Sequence, residues 1–184
     1  MSDIGKVTEG AVKAYELLQL TTDLQLDLWT EHVVFSWRWW LLAILTIAPW
    51  IIWWKLRKKE STHRLLLVGF FVMFLSVWLD NLGAKLGWWY YTYEVLPIAP
   101  AYKPWDISLM PVFIMFFLQY KPYINPFIKA GIFALIVSFG AEPFFMWLGY
   151  FKYPNWEYIY SYFIYFAIYL IAHFFSTRDK FAKL

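Results

Sequence analysis

Residues 65–89 read LLLVGFFVMFLSVWLDNLGAKLGWW. No charged side chain occurs before Asp80, and a glycine followed by two tryptophans (Gly87, Trp88, Trp89) closes the stretch. Its apolar run, from residue 65 to about residue 83, spans the hydrocarbon core of a bilayer, about 30 Å thick, as a single helix. Four further apolar stretches flank it, at residues 37–54, 107–120, 127–151 and 158–176. The stretch at 107–120 is short for a helix of about 20 residues, unless residues 98–106 also enter the bilayer. Residues 88–91 read either as an aromatic belt at the interface or as a short re-entrant piece. The expected fold is all-α, a polytopic membrane helix bundle of five transmembrane helices, with six as the alternative count.

Composition agrees with this solvent. The 184 residues are 61% hydrophobic and 24% aromatic, with only 16% charged, whereas a soluble domain carries about 25% charged residues. A soluble globular enzyme and a disordered chain are both excluded on these grounds. Cysteine is absent, which removes disulfides, thiolate metal sites and cysteine nucleophiles.

Residues 1–36 form a polar N-terminal segment carrying six acids against two lysines. They lack the basic start and early apolar run of a signal peptide. Apolar residues at mixed three- and four-residue steps (Val12, Tyr15, Leu18; Leu17, Leu20, Leu24, Leu28) predict an amphipathic helix. Two placements are open for it: on the membrane surface, or over this protein's own membrane helices. The bundle occupies 37–176, and 177–184 is a basic tail. Ten of the sixteen Lys and Arg residues fall on one side of the bundle, in residues 55–64, at Lys121 and Lys129, and at Arg178, Lys180 and Lys183. Because cytoplasmic loops are enriched in Lys and Arg, a multi-pass protein with its N-terminus outside and its C-terminus cytoplasmic is expected.

The second and fourth stretches run in the same direction, and their sequences align. Ser76, Asp80 and Gly87-Trp88-Trp89 correspond to Ser138, Glu142 and Gly149-Tyr150-Phe151. Each is followed by a Trp-acid pair after a proline: Pro104-Trp105-Asp106 and Pro154-Asn155-Trp156-Glu157. This order of features predicts a two-fold hairpin repeat with a shared site between the repeats.

Depth singles out the chemistry. At about 1.5 Å per residue, Asp80 lies roughly 24 Å from Arg64, Asp106 roughly 22 Å from Lys121, and Glu142 roughly 20 Å from Lys129. Arg38 lies roughly 25 Å from Lys55, which puts all four on one level inside the outer leaflet. Charges there face a bundle interior or a watery cavity. Asp80, Asp106 and Glu142 are the candidate catalytic carboxyls, and Arg38 is their candidate charge partner. Asp106 also reads as a helix N-cap, since Pro104 precedes it. Trp88, Trp105, Tyr165 and Tyr169 are the candidate substrate-binding residues; the last two belong to a stripe, Ser161, Tyr165, Tyr169 and His173, on one helical face. His173 reads as an interfacial residue. There is no HExxH, phosphate-binding Gly-rich loop, Asp-rich diphosphate site or paired His at metal spacing, so no metal and no cofactor is expected. The basic residues lack the clustering that nucleic-acid binding needs.

Two resemblances rest on these residues. Leu79-Asp80, Gly87-Trp88, Tyr90, Pro97, Pro104-Trp105-Asp106, Pro111-Val112, Gln119-Tyr120 and Glu142-Pro143 resemble an uncharacterised multi-pass membrane family of endospore-forming Firmicutes over about residues 38–175. That resemblance implies a bacterial cell membrane and carries no activity. More weakly, Asp80, Gly87-Trp88 and Pro104-x-Asp106 resemble the small integral-membrane lycopene cyclases. In each half of those cyclases an Asp precedes a Gly-x-Trp-like element, and a Pro-x-Glu opens the next helix. Here Asp106 stands in place of the Glu, and the chain is one helix short. The cyclase resemblance implies cofactor-free cyclisation, begun by protonating an isoprenoid double bond.

Three functions follow from these residues. The first is an isoprenoid cyclase or isomerase that uses an intramembrane acid on a hydrophobic or lipid substrate. The second is a non-enzymatic envelope or spore protein binding lipid or a partner. The third is a small proton-coupled carrier, for which homo-oligomerisation would supply the missing helices.

Overall fold

A computed structural model describes residues 3–98 and 101–178. The N-terminal helix α1 spans Asp3–Leu28. After a π turn at Trp29–Val33 and a left-handed Phe35, Ser36 caps α2, Trp37–Leu56, its hydroxyl accepting the Trp39 amide at 3.2 Å. A 3-10 turn at Lys59–Ser61 leads into α3, Thr62–Lys85. The helix α4, Trp105–Gln119, opens as a π turn over Trp105–Leu109. The helix α5, Pro126–Trp147, carries a π turn at Val137–Ala141, and α6 covers Tyr158–Ser176. The architecture is a helical bundle, α2 to α6, whose sequential helices alternate in direction.

The bundle is turned inside out relative to a soluble one. Exposed positions on α3 are Leu67, Phe70, Phe74, Trp78 and Leu82, a stripe at helical spacing, and α5 exposes Ile128, Ile132, Leu135 and Phe139. Buried positions include Ser76, Asp106, Lys129, Ser138, Glu142 and Ser161. An apolar exterior of this extent around a partly polar interior is what a lipid solvent selects. By length and composition, α2, α3 (with its 3-10 lead), α5 and α6 can each cross a membrane. The shorter α4 is a five-residue π turn plus a ten-residue helix. Its Met110, Pro111, Val112, Ile114, Met115 and Leu118 are all buried, so it is the core helix around which the other four pack. These features make the chain an integral membrane protein.

The expected count of five helices holds, and three of the open alternatives fall. Among the described residues no further long apolar helix occurs, so there are five apolar helices and not six. Residues 88–91 are neither a re-entrant helix nor only a belt: Tyr90–Tyr91 (β1) pairs antiparallel with Phe151–Lys152 (β2). None of α1's residues is buried, so it does not cover the bundle. Lys180 and Lys183 of the expected basic tail lie outside the described residues.

The hairpin repeat is visible atom for atom at the ends of α3 and α5. Gly87 and Gly149 take left-handed φ values of 71° and 84°. The amide of Leu86 bonds the Leu82 carbonyl, Gly87 bonds Ala84 and Trp88 bonds Gly83, at 3.0–3.1 Å; Leu148–Phe144, Gly149–Met146 and Tyr150–Phe145 repeat this at 2.9–3.1 Å. These are two matching Schellman caps, which need a residue free to adopt positive φ. The strand register continues the match: Tyr90 lies opposite Lys152, its own counterpart in the repeat. A local two-fold axis therefore passes through that pair.

Candidate functional site

The capped ends of α3 and α5 fold aromatic residues back over the bundle and roof a cavity of about 110 Å3. Asp80, Asp106 and Glu142 all line it. Trp89, Trp105, Phe145, Phe151, Trp156 and Tyr165 form most of its aromatic wall, with contributions from both repeats.

Each carboxyl is placed by a local feature. Ser76 and Asp80 lie one turn apart on α3 and both face the cavity. Asp80 Oδ1 accepts the Trp89 indole N–H at 2.9 Å and the Tyr91 hydroxyl. Gly87 reverses the chain so that the Trp89 ring lies against Gly83, where a Cβ would sit 2.0 Å from the ring. Burial, and then the nearby Asp80 charge, raise the Tyr91 phenol well above its ordinary range, so it remains a donor.

Asp106 sits in the π turn opening α4 and is 2% exposed. Its Oδ1 accepts the Ser76 hydroxyl at 2.5 Å and its Oδ2 the Tyr102 amide at 2.6 Å. Asp80 and Asp106 line the same cavity as Ser76, which bridges toward Asp106 from one turn below Asp80. Asp106 accepts a backbone amide that precedes it, which differs from the forward bond of an N-cap. Pro111, with no N–H to give, leaves the Ile107 carbonyl for Trp50, whose indole donates to it at 2.8 Å.

Glu142 follows the π turn of α5, and Pro143 comes next. Glu142 Oε1 accepts the Tyr165 hydroxyl at 2.9 Å, with Tyr153 and Ser161 beside the carboxyl. Oε2 is buried and has no hydrogen-bond partner. Such π turns recur at functional sites because they redirect side chains within a helix; here two of the three acids sit at one.

The expected residues are partly brought together. Asp80, Asp106, Glu142, Trp105 and Tyr165 share the cavity. Trp88 stands behind it, stacked on Trp156 at 4.9 Å. Tyr169 lies in the apolar core against Phe117 and Phe133, below the cavity. Arg38 pairs with none of the three acids. Its Nε donates to the Leu148 carbonyl at 3.3 Å, one guanidinium N–H reaches the Tyr93 hydroxyl at 3.4 Å, and its charge lies over the Trp37 and Tyr93 rings. The physical reason is the C-terminus of α5, whose last carbonyls lack helical partners and attract a cation. Ser76, Trp89, Tyr91, Tyr153 and Trp156 were not among the expected site residues. The signal that could have found Trp89, Tyr91 and Tyr153 is equal spacing from each acid: Trp89 and Tyr91 follow Asp80 by the same steps as Phe151 and Tyr153 follow Glu142.

Among the described residues no group of His, Asp and Glu is arranged to hold a metal ion. The loop above the cavity carries one further acid, the half-buried Glu94. Burial, with a smaller push from Asp80, raises its carboxyl to about 7 against the opposing pull of Lys103. Trp29 and Trp39 hold this loop through indole bonds to the Glu94 and Val95 carbonyls, at 3.0 and 3.1 Å.

No protein-family model, curated protein or solved structure matches this chain.

Proposed function

We propose that this protein is a membrane enzyme that cyclises or isomerises a linear isoprenoid by proton transfer from an intramembrane carboxyl, without a cofactor. The observation that carries the reading is the cavity: three carboxyls, none of them ion-paired among the described residues, in a wall of aromatic rings. Acid-initiated cyclisation needs a proton donor shielded from water and ring faces that stabilise a carbocation through their quadrupoles.

The balance is simple. An acid proton adds to a carbon–carbon double bond and leaves a cation. A second double bond attacks it, closing a ring, and a neighbouring C–H returns a proton to a carboxylate. The product is an isomer of the substrate. Glu142 is the natural donor, since its Oε2 is uncommitted, and Asp80 and Asp106 supply the negative charge that faces the cation. The space resembles that of an apolar cavity of roughly 150 Å3 that holds a benzene ring, so the end of a long chain enters and the rest lies in lipid. The resemblance to small integral-membrane lycopene cyclases points the same way.

The carrier reading needs a polar path through the bundle. Below the cavity, Val68, Val72, Met115, Phe133 and Tyr169 form a buried apolar layer, which favours a closed chamber. A cytoplasmic placement of the loop at residues 55–64, with the cavity toward the outer leaflet of a bacterial cell membrane, belongs to the same proposal.

The test is expression in cells that accumulate linear isoprenoids, followed by lipid mass spectrometry. An isomer of unchanged mass and shifted retention is expected from the wild type and not from the Asp106→Asn/Glu142→Gln double variant. Identical profiles from wild type, variant and empty vector would remove the proposal.

A further inference from the structure

At the opposite end of the bundle, where α3 and α5 begin and α4 and α6 end, lies a second cavity of about 370 Å3. Its ionisable lining residues are Lys58, Arg64, Lys129 and His173. Ser61, Gln119, Ser176 and Thr177 add hydroxyl and amide groups, and among the described residues no Asp or Glu lines it. The key residue is Lys129, only 7% exposed, whose ammonium donates to the Tyr120 carbonyl at 2.7 Å. An ammonium has three N–H donors, and a buried charge is costly unless paired. Among the described residues the ion pairs are His32–Glu31 and Lys58–Glu60, both at the surface, so none of the described carboxylates neutralises Lys129.

We infer that this cavity binds a phosphate group, supplied either by the headgroup of an anionic lipid or by free phosphate. Tetrahedral oxyanions accept several charge-assisted hydrogen bonds at once, and arginine and lysine are their usual donors. Four helix ends contribute donors here, from Lys58 to Thr177, so they can surround one anion. The position suits a lipid source, because basic pockets between membrane helices at the bundle end hold lipid headgroups. The neighbouring exposed cations, such as Lys55, would only concentrate anions near the surface.

The experiment uses the full chain purified in a neutral detergent, titrated separately with dioctanoyl phosphatidylglycerol and with inorganic phosphate and read by native mass spectrometry. Saturable binding of at least one probe is expected. Lys129→Gln and Arg64→Gln should each weaken it about tenfold or more, Lys129→Arg should restore most of it, and Lys55→Gln should change it less than about twofold. A lipid that phosphate cannot displace identifies a headgroup site, whereas displacement identifies a phosphate site. Should Lys129→Gln fail to fold, Arg64→Gln and Lys129→Arg still decide. Binding of neither probe, or binding that falls with Lys55→Gln as much as with Arg64→Gln, overturns the inference.

Discussion

Replacing Gly83 by alanine sets two physical effects against each other. Gly83 lies within α3, where exchanging glycine for alanine favours a helix by up to about 1 kcal/mol. The added Cβ, however, would lie 2.0, 2.2 and 2.6 Å from three atoms of the Trp89 ring. Ordinary contact begins at 3.4 Å, so the ring must retreat by about 1.4 Å, the difference between those two distances. Trp89 cannot do so freely, since its indole is bonded to Asp80 at 2.9 Å and its ring meets Trp156 edge-on. Overpacking costs about 1–3 kcal/mol, and loss of a hydrogen bond to a charged group costs about 1.5–3 kcal/mol. Packing wins, and Gly83→Ala should destabilise the fold by about 2–5 kcal/mol. In a Trp89→Ala background both penalties vanish, and the same change should become neutral or stabilising by up to about 1 kcal/mol. Reversible unfolding of the four proteins in mixed detergent micelles measures this cycle. An equal cost in both backgrounds would show that Trp89 does not occupy the space over Gly83, and the placement of the Asp80 donor would fall with it.

The two caps predict matched losses. Gly87→Ala and Gly149→Ala should each cost about 1–2 kcal/mol, the penalty of a side chain at positive φ, and unequal unfolding midpoints would break the equivalence of the repeats. Tyr165→Phe removes the donor to Glu142 Oε1 and should cost about 1–3 kcal/mol while lowering the yield of the isomeric product; unchanged stability and yield would show that the bond does not matter. Glu94 predicts a pH dependence. Its folded carboxyl titrates near 7 against an ordinary 4.5, so the folded state holds the proton more tightly, and the associated stability is full below about 4.5 and lost as pH rises through 7. The melting temperature of the wild type minus that of Glu94→Gln should therefore fall between pH 4.5 and 7.5, and a flat difference contradicts the burial of this carboxyl.

Apolar length made most of the bundle legible from the chain. The stretch at residues 158–176 is the helix observed, and α2, α3 and α5 match to within a few residues, because lipid forces backbone hydrogen bonds to close within each span. Residues 88–91 resisted that reading. Their strand pairing depends on residues 151–152, sixty positions away, which no local pattern reports. At the site, the scarcity of acids identified Asp80, Asp106 and Glu142, since each had to face inward. Arg38 misled because charge suggests charge, while in this fold an uncapped helix end lay within its reach. The stripe from Ser161 to His173 also divided. One helical face runs the full depth of the bundle, so it passes the acid cavity at Ser161 and Tyr165, the core at Tyr169 and the basic cavity at His173.

The repeats differ where their chemistry would differ. Trp105-Asp106 and Trp156-Glu157 correspond in sequence, and both tryptophans line the cavity. Asp106 is drawn inward by its π turn, but Glu157 has extended backbone angles before α6 and its side chain is exposed. In its place, Ser161 faces the cavity and accepts the Trp156 indole at 2.9 Å. The duplicated frame thus holds a carboxyl pair in one half and a single carboxyl in the other. Across Asp80 and Asp106, the Trp89 indole and the Tyr91 hydroxyl commit Asp80 Oδ1, and the Ser76 hydroxyl and the Tyr102 amide commit both oxygens of Asp106. The single carboxyl keeps Oε2 uncommitted. A group that must release a proton and take it back needs that freedom, and a group that holds charge against a cation needs the fixed donors. Under the proposed mechanism the asymmetry therefore suits Glu142 to the first task and Asp80 and Asp106 to the second.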